Sequence, residues 1–286
     1  MTTVLDVQRF KDEGRRFAVL TAYDFLSAKI LDEAGIPVLL VGDSLGMVML
    51  GHPTTLPATM DDMLHHAKAV ARGARQALLV GDMPFMSYQV STEQAIANAG
   101  RFIQEAGMHA VKLEGGGPVI EISRRLSEIG IPVMGHLGLT PQSVHTMGGF
   151  KVQGKTEAQA ARILADAKAL QDAGAFSIVL EGVPSQLAAR VTNALRIPTI
   201  GIGAGPATDA QVLVLHDMLG LTTGKAAKFV KRYANLAEEI TRAATSYADE
   251  VREGKFPGPE HEYSANGSAP ASPPVKQVGE EVKYGG

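Results

Sequence analysis

The sequence lacks cysteine and tryptophan, and it has no long apolar run and no marked excess of charge of either sign. Without cysteine, the chain cannot form disulfides, thiolate zinc sites, iron–sulfur clusters or a cysteine nucleophile. Its 27 Lys and Arg against 30 Asp and Glu give a formal charge of −3, which argues against a nucleic-acid-binding surface. No segment reaches the roughly 18 continuous apolar residues of a membrane helix, and the polar, mixed-charge start is unlike a secretory signal. We therefore expect a cytoplasmic enzyme with no membrane and no nucleic-acid partner.

The apolar residues occur in short runs, and helix-like sequence separates one run from the next. The runs are continuous rather than alternating, which is typical of parallel strands covered on both faces. Eight strands are predicted: 17–23, 38–42, 78–81, 110–113, 132–135, 177–180, 198–202 and 212–216.

Between these runs, four helical patterns end at a glycine, which is the usual left-handed cap of a helix. They cover residues 25–34, 93–106, 119–129 and 157–173. Eight β-then-α units predict an α/β fold, a (β/α)₈ TIM barrel. A doubly wound open sheet is the main alternative, because it uses the same alternation. The strand count and the spread of polar strand ends favour the barrel.

Five consecutive predicted strands carry polar or charged side chains at their carboxyl ends. These residues are Asp43 and Ser44, Asp82, Lys112 and Glu114, His136, and Glu181. In a barrel such ends form one rim, where enzymes of this architecture place their active sites. A single acid could merely cap the following helix, but five strands together indicate a site. Lys112 and Glu114 are two residues apart on a strand, so both side chains point the same way.

The residue types in this set indicate the chemistry. Asp43, Asp82 and Glu114 supply hard oxygen ligands that suit Mg²⁺, with Mn²⁺ as a substitute. His136 is either a fourth ligand, which would favour zinc or iron, or a hydrogen-bonding residue, which we prefer. Glu181 is then free as a general base, and partial burial would raise its pKa towards working pH. With Lys112 as a partner for negative charge, or as a competing Schiff-base lysine, the set favours proton abstraction beside a carbonyl.

Six sequence motifs resemble those of the ketopantoate hydroxymethyltransferase family. They are VGDSLGM at 41–47, GDMPF at 81–85, VKLEGG at 111–116, GHLGLTPQ at 135–142, LEGVP at 180–184 and IGIGAG at 200–205. The resemblance extends from the first helix to about residue 256, and Gly182 departs from the cysteine common at that position.

The resemblance implies a barrel of the phosphoenolpyruvate/pyruvate type and a particular activity. A one-carbon unit would pass from 5,10-methylenetetrahydrofolate to 3-methyl-2-oxobutanoate, giving ketopantoate for pantothenate synthesis through a Mg²⁺-stabilised enolate. Glu181 would be the proton acceptor. The other implied sites are Mg²⁺ on Asp43, Asp82 and Glu114, and substrate on Asp43, Ser44, Asp82 and Lys112, with His136 in the pocket. The family forms homo-oligomers, often homodecamers of two pentamers. A folate-independent lyase acting on a 2-oxoacid, or a non-catalytic sensor or scaffold, remains an alternative.

The C-terminal part divides into a helix and a tail. Apolar residues recur every three or four positions over 226–253, which predicts a long helix with one apolar stripe. It lies either on its own barrel or on a neighbouring subunit. We expect one domain over 1–254 and a disordered Pro/Gly/Ser-rich tail over 255–286. The glycine-containing segment 139–155 is either a mobile lid or a static loop.

Overall fold

A computed structural model describes residues 1–224 and 226–263. Contacts divide the chain into two compact units, one of Met1–Ala234 and one that begins at Asn235. One domain over 1–254 therefore stays a prediction.

The first unit is a closed barrel of parallel strands, as predicted. The strands follow chain order around the barrel, and the first strand closes it by pairing with the last, with Val19 opposite Val212. Their bounds are β1 Phe17–Thr21, β2 Val38–Val41, β3 Leu78–Asp82, β4 Ala110–Glu114, β5 Val133–Gly138, β6 Ser177–Glu181, β7 Thr199–Ile202 and β8 Ala210–Leu213.

Helices of the first unit surround the barrel and connect most of its strands, and the second unit contains one further α-helix within the described residues. They are α1 Val4–Asp12, α2 Phe25–Glu33, α3 Leu45–Val48, α4 Met60–Gly73, α5 Thr92–Gln104, α6 Pro118–Glu128, α7 Val144–Met147, α8 Glu157–Asp172, α9 Ser185–Ala194, α10 Leu215–Met218 and, in the second unit, α11 Leu236–Arg252. None of the helices in the described ranges is both long and apolar enough to cross a membrane.

The predicted β-then-α repeat is wrong between β7 and β8, where residues 203–209 contain no helix. Gly203 and Gly205 have φ of +60° and +79° and turn the chain directly back. Asp209 then accepts a hydrogen bond from the Thr199 backbone N–H at 2.8 Å, which ties the start of β8 to the start of β7.

Two predicted bounds near the C-terminus are also wrong. The last strand is Ala210–Leu213 rather than 212–216, because the apolar run continues from the strand into α10. The last helix begins at Leu236 rather than at 226. Phe229 and Tyr233 match the helical spacing but serve other contacts: Phe229 packs over Gly203, and the Tyr233 N–H donates to the Met218 carbonyl at 2.8 Å.

The barrel is apolar at the amino ends of its strands and charged at their carboxyl ends. Val19, Val80, Met134 and Ile200 fill the lower interior and are at most 2% exposed. The outward faces of the same strands pack against helices, which explains why each strand is apolar on both sides. On β3 to β6, the inward residues nearest the carboxyl ends are charged or titratable: Asp82, Lys112 and Glu114, His136, and Glu181.

In the second unit, the chain after α11 folds back on that helix. The Phe256 ring lies 5.4 Å from the Tyr247 ring, and Pro259–His261 forms a short 3₁₀ helix. The rest of the predicted disordered tail, 264–286, lies outside the described residues. Its disorder stays a prediction.

Candidate active site

All seven residues singled out in the sequence line one cavity of about 190 Å³ at the carboxyl ends of the strands. Asp43 and Ser44 follow β2, in a turn where a Cβ on Gly42 would lie only 2.9 Å from Ser44 Oγ. The others end or lie within the strands: Asp82 in β3, Lys112 and Glu114 in β4, His136 in β5 and Glu181 in β6. The barrel topology therefore collects residues that are far apart in the chain.

Lys112 lies among the acids. Its Nζ is 2.7 Å from Asp82 Oδ1 and 3.5 Å from Glu114 Oε1, and all three side chains are at most 5% exposed. Burial alone would lower the pKa of Lys112, but the carboxylates of Asp82, Glu114 and Asp43 raise it above its ordinary value. Lys112 is therefore an ammonium group at neutral pH, which suits it to bind an anion and not to form a Schiff base.

His136 bridges two carboxylates. Its Nδ1 lies 3.1 Å from Glu114 Oε1, and its Nε2 lies 3.2 Å from Glu181 Oε2. Burial and the neighbouring Lys112 would lower the pKa of His136. The contacts with Glu114 and Glu181 outweigh both effects and raise the pKa from 6.5 to about 9. The ring is therefore an imidazolium at neutral pH, and its Nδ1–H donates to Glu114. The Nε2 contact with Glu181 is close but poorly aligned, so we describe it as an ion pair.

The surroundings shift the pKa values of Asp43, Asp82 and Glu114 in different directions. Burial, Asp82 and Glu114 raise the pKa of Asp43 well above its ordinary value. Burial likewise raises the pKa of Asp82, although Lys112 opposes it. Burial would also raise the pKa of Glu114, but His136 and Lys112 lower it on balance. Asp43 forms no salt bridge with any residue of the described ranges. Asp43 is therefore the acid whose ionised form is least compensated by neighbouring positive charge, and a cation bound there would stabilise that form.

This charge distribution and the donor set fit a hard divalent cation. Asp82 Oδ1 is buried without a hydrogen bond of acceptable geometry, even though the Lys112 ammonium touches it. Within residues 1–224 and 226–263, no three His, Asp or Glu side chains converge as a closed metal site. Mg²⁺ usually keeps several waters and takes one or two carboxylates directly. The side chains therefore fit an ion that is coordinated directly by Asp43 and Asp82 better than an ion that is coordinated directly by all three acids.

Gln142 and Tyr88, two residues to which the sequence assigned no role, support this cluster. Gln142 Nε2 donates to Asp43 Oδ2 at 3.0 Å, and its backbone N–H donates to Glu114 Oε2 at 3.0 Å. Tyr88 donates its hydroxyl to Gln142 Oε1 at 2.7 Å. The only signal in the sequence was that Gln142 ends the motif at 135–142. Tyr88 gave none.

The wall of the cavity away from the acids is apolar. It is formed by Leu40, Val179, Ile202, Val212 and Val214. The cavity can therefore take a small molecule with an anionic head and an apolar end. Phe150, from the segment predicted as a lid or a loop, also lines it and is 54% exposed. The mobility of that segment stays a prediction.

A closed parallel barrel with acids, a lysine and a histidine at the carboxyl ends of its strands is the structure of a TIM-barrel enzyme. Solved structures agree on the fold, at identities too low to show more. Phosphonopyruvate hydrolase in complex with oxalate and Mg²⁺ has a TM-score of 0.59 and 14% identity, covering 93% of each chain. For 2,3-dimethylmalate lyase, a PEP mutase/isocitrate lyase superfamily member, the TM-score is 0.58 with 19% identity over 93% of each chain.

Sequence comparison identifies the particular family. A sequence model described as ketopantoate hydroxymethyltransferase matches residues 1–259. The 3-methyl-2-oxobutanoate hydroxymethyltransferase of Syntrophus aciditrophicus (strain SB) is 58% identical over 257 residues, covering 90% of this chain and 94% of that protein. That of Syntrophotalea carbinolica is 56% identical over 262 residues, covering 92% and 98%. The chain belongs to the ketopantoate hydroxymethyltransferase family and is a transferase, which confirms the resemblance seen in the motifs. The roles of individual site residues stay predictions.

Proposed function

We propose that the chain transfers a one-carbon unit from 5,10-methylenetetrahydrofolate to 3-methyl-2-oxobutanoate, producing ketopantoate for pantothenate synthesis. The relatives are named for this hydroxymethyl transfer. The observation that carries the proposal is one small cavity that places Glu181 and Lys112 at the polar strand ends and has an apolar wall away from the acids. An acceptor for a carbon-bound proton and a cation for a carboxylate are what this reaction requires. The cytoplasmic location stays a prediction.

The two faces of the cavity orient the oxoacid. Its carboxylate and keto oxygens lie towards Lys112 and Ser44, and its isopropyl group lies against the side chains of Val179, Ile202 and Val212. Asp43 and Asp82 would hold Mg²⁺, with Glu114 as the third predicted ligand, and the bound ion would polarise the keto group and offset developing negative charge. This orientation directs C3, the carbon that carries the methyl groups, towards the strand ends of β6 and β7.

Glu181 removes the C3 proton in this proposal. Its Oε2 lies 3.2 Å from His136 Nε2, so the imidazolium orients the carboxylate at the end of β6. The side chain is 16% exposed, which leaves it accessible to a ligand in the cavity. The C3 carbanion equivalent then bonds to the methylene carbon of the folate. In the net reaction both bonds from the methylene carbon to the folate nitrogens N5 and N10 break, and water supplies the hydroxyl group. The proton taken from C3 and the remaining proton of water go to the two nitrogens, which releases tetrahydrofolate.

Replacing Glu181 by Gln tests the proposal, because the amide keeps the size of the side chain and removes its basicity. Proton–deuterium exchange at C3 of 3-methyl-2-oxobutanoate, followed by NMR with Mg²⁺, should slow by about 10²–10⁴-fold. Calorimetric binding of the oxoacid should change little. Glu128→Gln, on the exposed end of α6, is the matched control. Exchange at the wild-type rate in Glu181→Gln would show that another group is the base.

A second measurement tests the donor. Ketopantoate formation should require methylenetetrahydrofolate, whereas C3 exchange should not. Exchange without any folate-dependent product would instead favour a folate-independent 2-oxoacid lyase.

We further propose that the chain self-associates, as a homodecamer of two pentamers. In support, α11 buries no residue although it carries an apolar stripe. Ile240, Tyr247 and Val251 on that helix are 46–57% exposed. An amphipathic helix with an uncovered apolar face is typical of a subunit interface.

A further inference from the structure

Gln142 contacts groups from three strand ends besides its own. It follows β5, in the short 3₁₀ helix Pro141–Ser143. Its side-chain nitrogen donates to Asp43 Oδ2 after β2, at 3.0 Å, and to the carbonyl of Met83 after β3, at 2.9 Å. Its backbone N–H donates to Glu114 Oε2 at the end of β4. Gln142 therefore links the carboxylates of Asp43 and Glu114 through its own hydrogen bonds.

The orientation of the Gln142 amide is determined by its surroundings. Nε2 faces a carboxylate and a carbonyl, which can only accept hydrogen bonds, so the NH₂ group must point there. Oε1 accepts from the Tyr88 hydroxyl at 2.7 Å and from Gln89 Nε2 at 3.2 Å. Tyr88 is in turn held by the backbone N–H of Glu114, which donates to its hydroxyl oxygen at 3.2 Å. Tyr88 and Gln142 thus form a buried hydrogen-bonded frame behind Asp43 and Glu114.

We propose that Gln142, oriented by Tyr88, is a positioning residue that fixes the Asp43 carboxylate for a divalent cation. Asp43 makes no salt bridge within the described ranges, so the Gln142 amide is the side-chain donor that sets its rotation. With Oδ2 engaged by the amide, Oδ1 remains for the cation. This inference rests on the metal site of the proposed function. Gln142 itself does not contact the substrate in this proposal.

Metal titration tests this role without relying on catalysis. Mn²⁺ binding to the folded apoprotein, measured by the EPR signal of free Mn²⁺ or by calorimetry, should weaken about 10–100-fold in Gln142→Leu. Tyr88→Phe should weaken it less, because the amide loses only its orienting partner. The double variant should bind Mn²⁺ no more weakly than Gln142→Leu alone, since both changes act through one hydrogen bond to Asp43. Saturating Mg²⁺ should restore most of kcat in Gln142→Leu.

A matched control separates positioning from general destabilisation. Thr192 Oγ1 lies 2.8 Å from Thr199 Oγ1, in a buried hydrogen bond near the opposite end of the barrel. Thr192→Val should lower the melting temperature and leave Mn²⁺ affinity unchanged.

Three results would overturn the proposal. If Gln142→Leu melts at a lower temperature but binds Mn²⁺ as tightly as the wild type, the residue is only structural. Should Gln142→Leu fail to fold, Tyr88→Phe with unchanged Mn²⁺ affinity would likewise show that the hydrogen-bonded frame does not position the metal ligand. A wild-type chain that binds no Mn²⁺ would remove the metal site and this inference together. The Glu181→Gln exchange experiment would still test the base separately.

Discussion

His136 shows how one buried side chain can tie the stability of the site to pH. Folding raises its pKa from the usual 6.5 to about 9, because Glu114 and Glu181 flank the ring. A raised folded-state pKa stabilises the protonated form. The stabilisation is therefore complete below about 6.5 and is lost as the pH rises through about 9.

This reasoning predicts the behaviour of His136→Gln. In EDTA, the wild-type chain should have the larger free energy of unfolding at low pH, and the difference should shrink as the pH rises between 6.5 and 9. Urea unfolding at a series of pH values measures it. His65→Gln, at an exposed position on α4, should alter the unfolding free energy little at any pH. A wild-type advantage that stays constant across the window would contradict the assignment of His136 as an imidazolium.

Not every residue of the site could be found from sequence. Asp43, Asp82, Lys112, Glu114 and Glu181 were predictable because each stands where an apolar run ends, and parallel strands bring such ends together. Gln142 lies in a single turn of 3₁₀ helix and Tyr88 in a loop, and in such short segments no periodicity marks a polar residue as buried. Their role depends on hydrogen bonds between segments 54 positions apart, which only the folded chain reveals.

At the scale of whole elements, the segment after β5 depends on Gly138. Its φ is +96°, a conformation that residues with a side chain rarely adopt. A Cβ at this position would clash with the backbone carbonyl of Glu181. That same carbonyl accepts the Leu139 N–H at 2.8 Å, so the start of the segment and the end of β6 are held together. The glycine therefore permits the approach that places Glu181.

Gly138→Ala should lower the free energy of unfolding by at least about 1–3 kcal/mol, because it combines an unfavourable φ with a steric clash. It should slow C3 exchange as well, since the clash displaces the backbone of Glu181. Urea unfolding and the NMR exchange rate measure the two effects. Gly100→Ala is the matched control: this residue lies within α5 with no atom near its added Cβ, so it should stabilise by about 1 kcal/mol. Equal stability of Gly138→Ala and the wild type would contradict the strain at Gly138.

The elements themselves were predictable where a local signal marks their ends. Gly35, Gly107, Gly130 and Gly174 all have positive φ and follow helices whose predicted bounds agree with the structure within two residues. The larger errors near the C-terminus concern the bounds of β8 and the start of α11, where Asn235 precedes the helix without a side-chain capping hydrogen bond. There Phe229 follows a helical spacing but packs over Gly203, because tertiary contacts override a pattern that was favourable only locally.

For the whole molecule, the apolar stripe of α11 predicts association. None of the residues of this helix is buried, and Ile240, Tyr247 and Val251 share one face with 46–57% exposure. A helix with this pattern gains stability by burying that face, since an isolated helix of this length is marginal in water. A second copy of the chain is the partner that the family implies.

A charge introduced into the stripe should therefore dissociate the assembly. Ile240→Asp places a carboxylate in the interface, where an unpaired charge is costly, so the mass measured by light scattering should fall from that of the oligomer towards that of a single chain. Thr245→Asp adds the same charge on the opposite face of α11 and should leave the mass unchanged. Because the barrel unit, Met1–Ala234, contains all the residues of the site, the dissociated variant should still bind Mn²⁺. An oligomer that survives Ile240→Asp but not Thr245→Asp would place the interface on the polar face instead, since only the face that is buried against a partner is sensitive to a new charge.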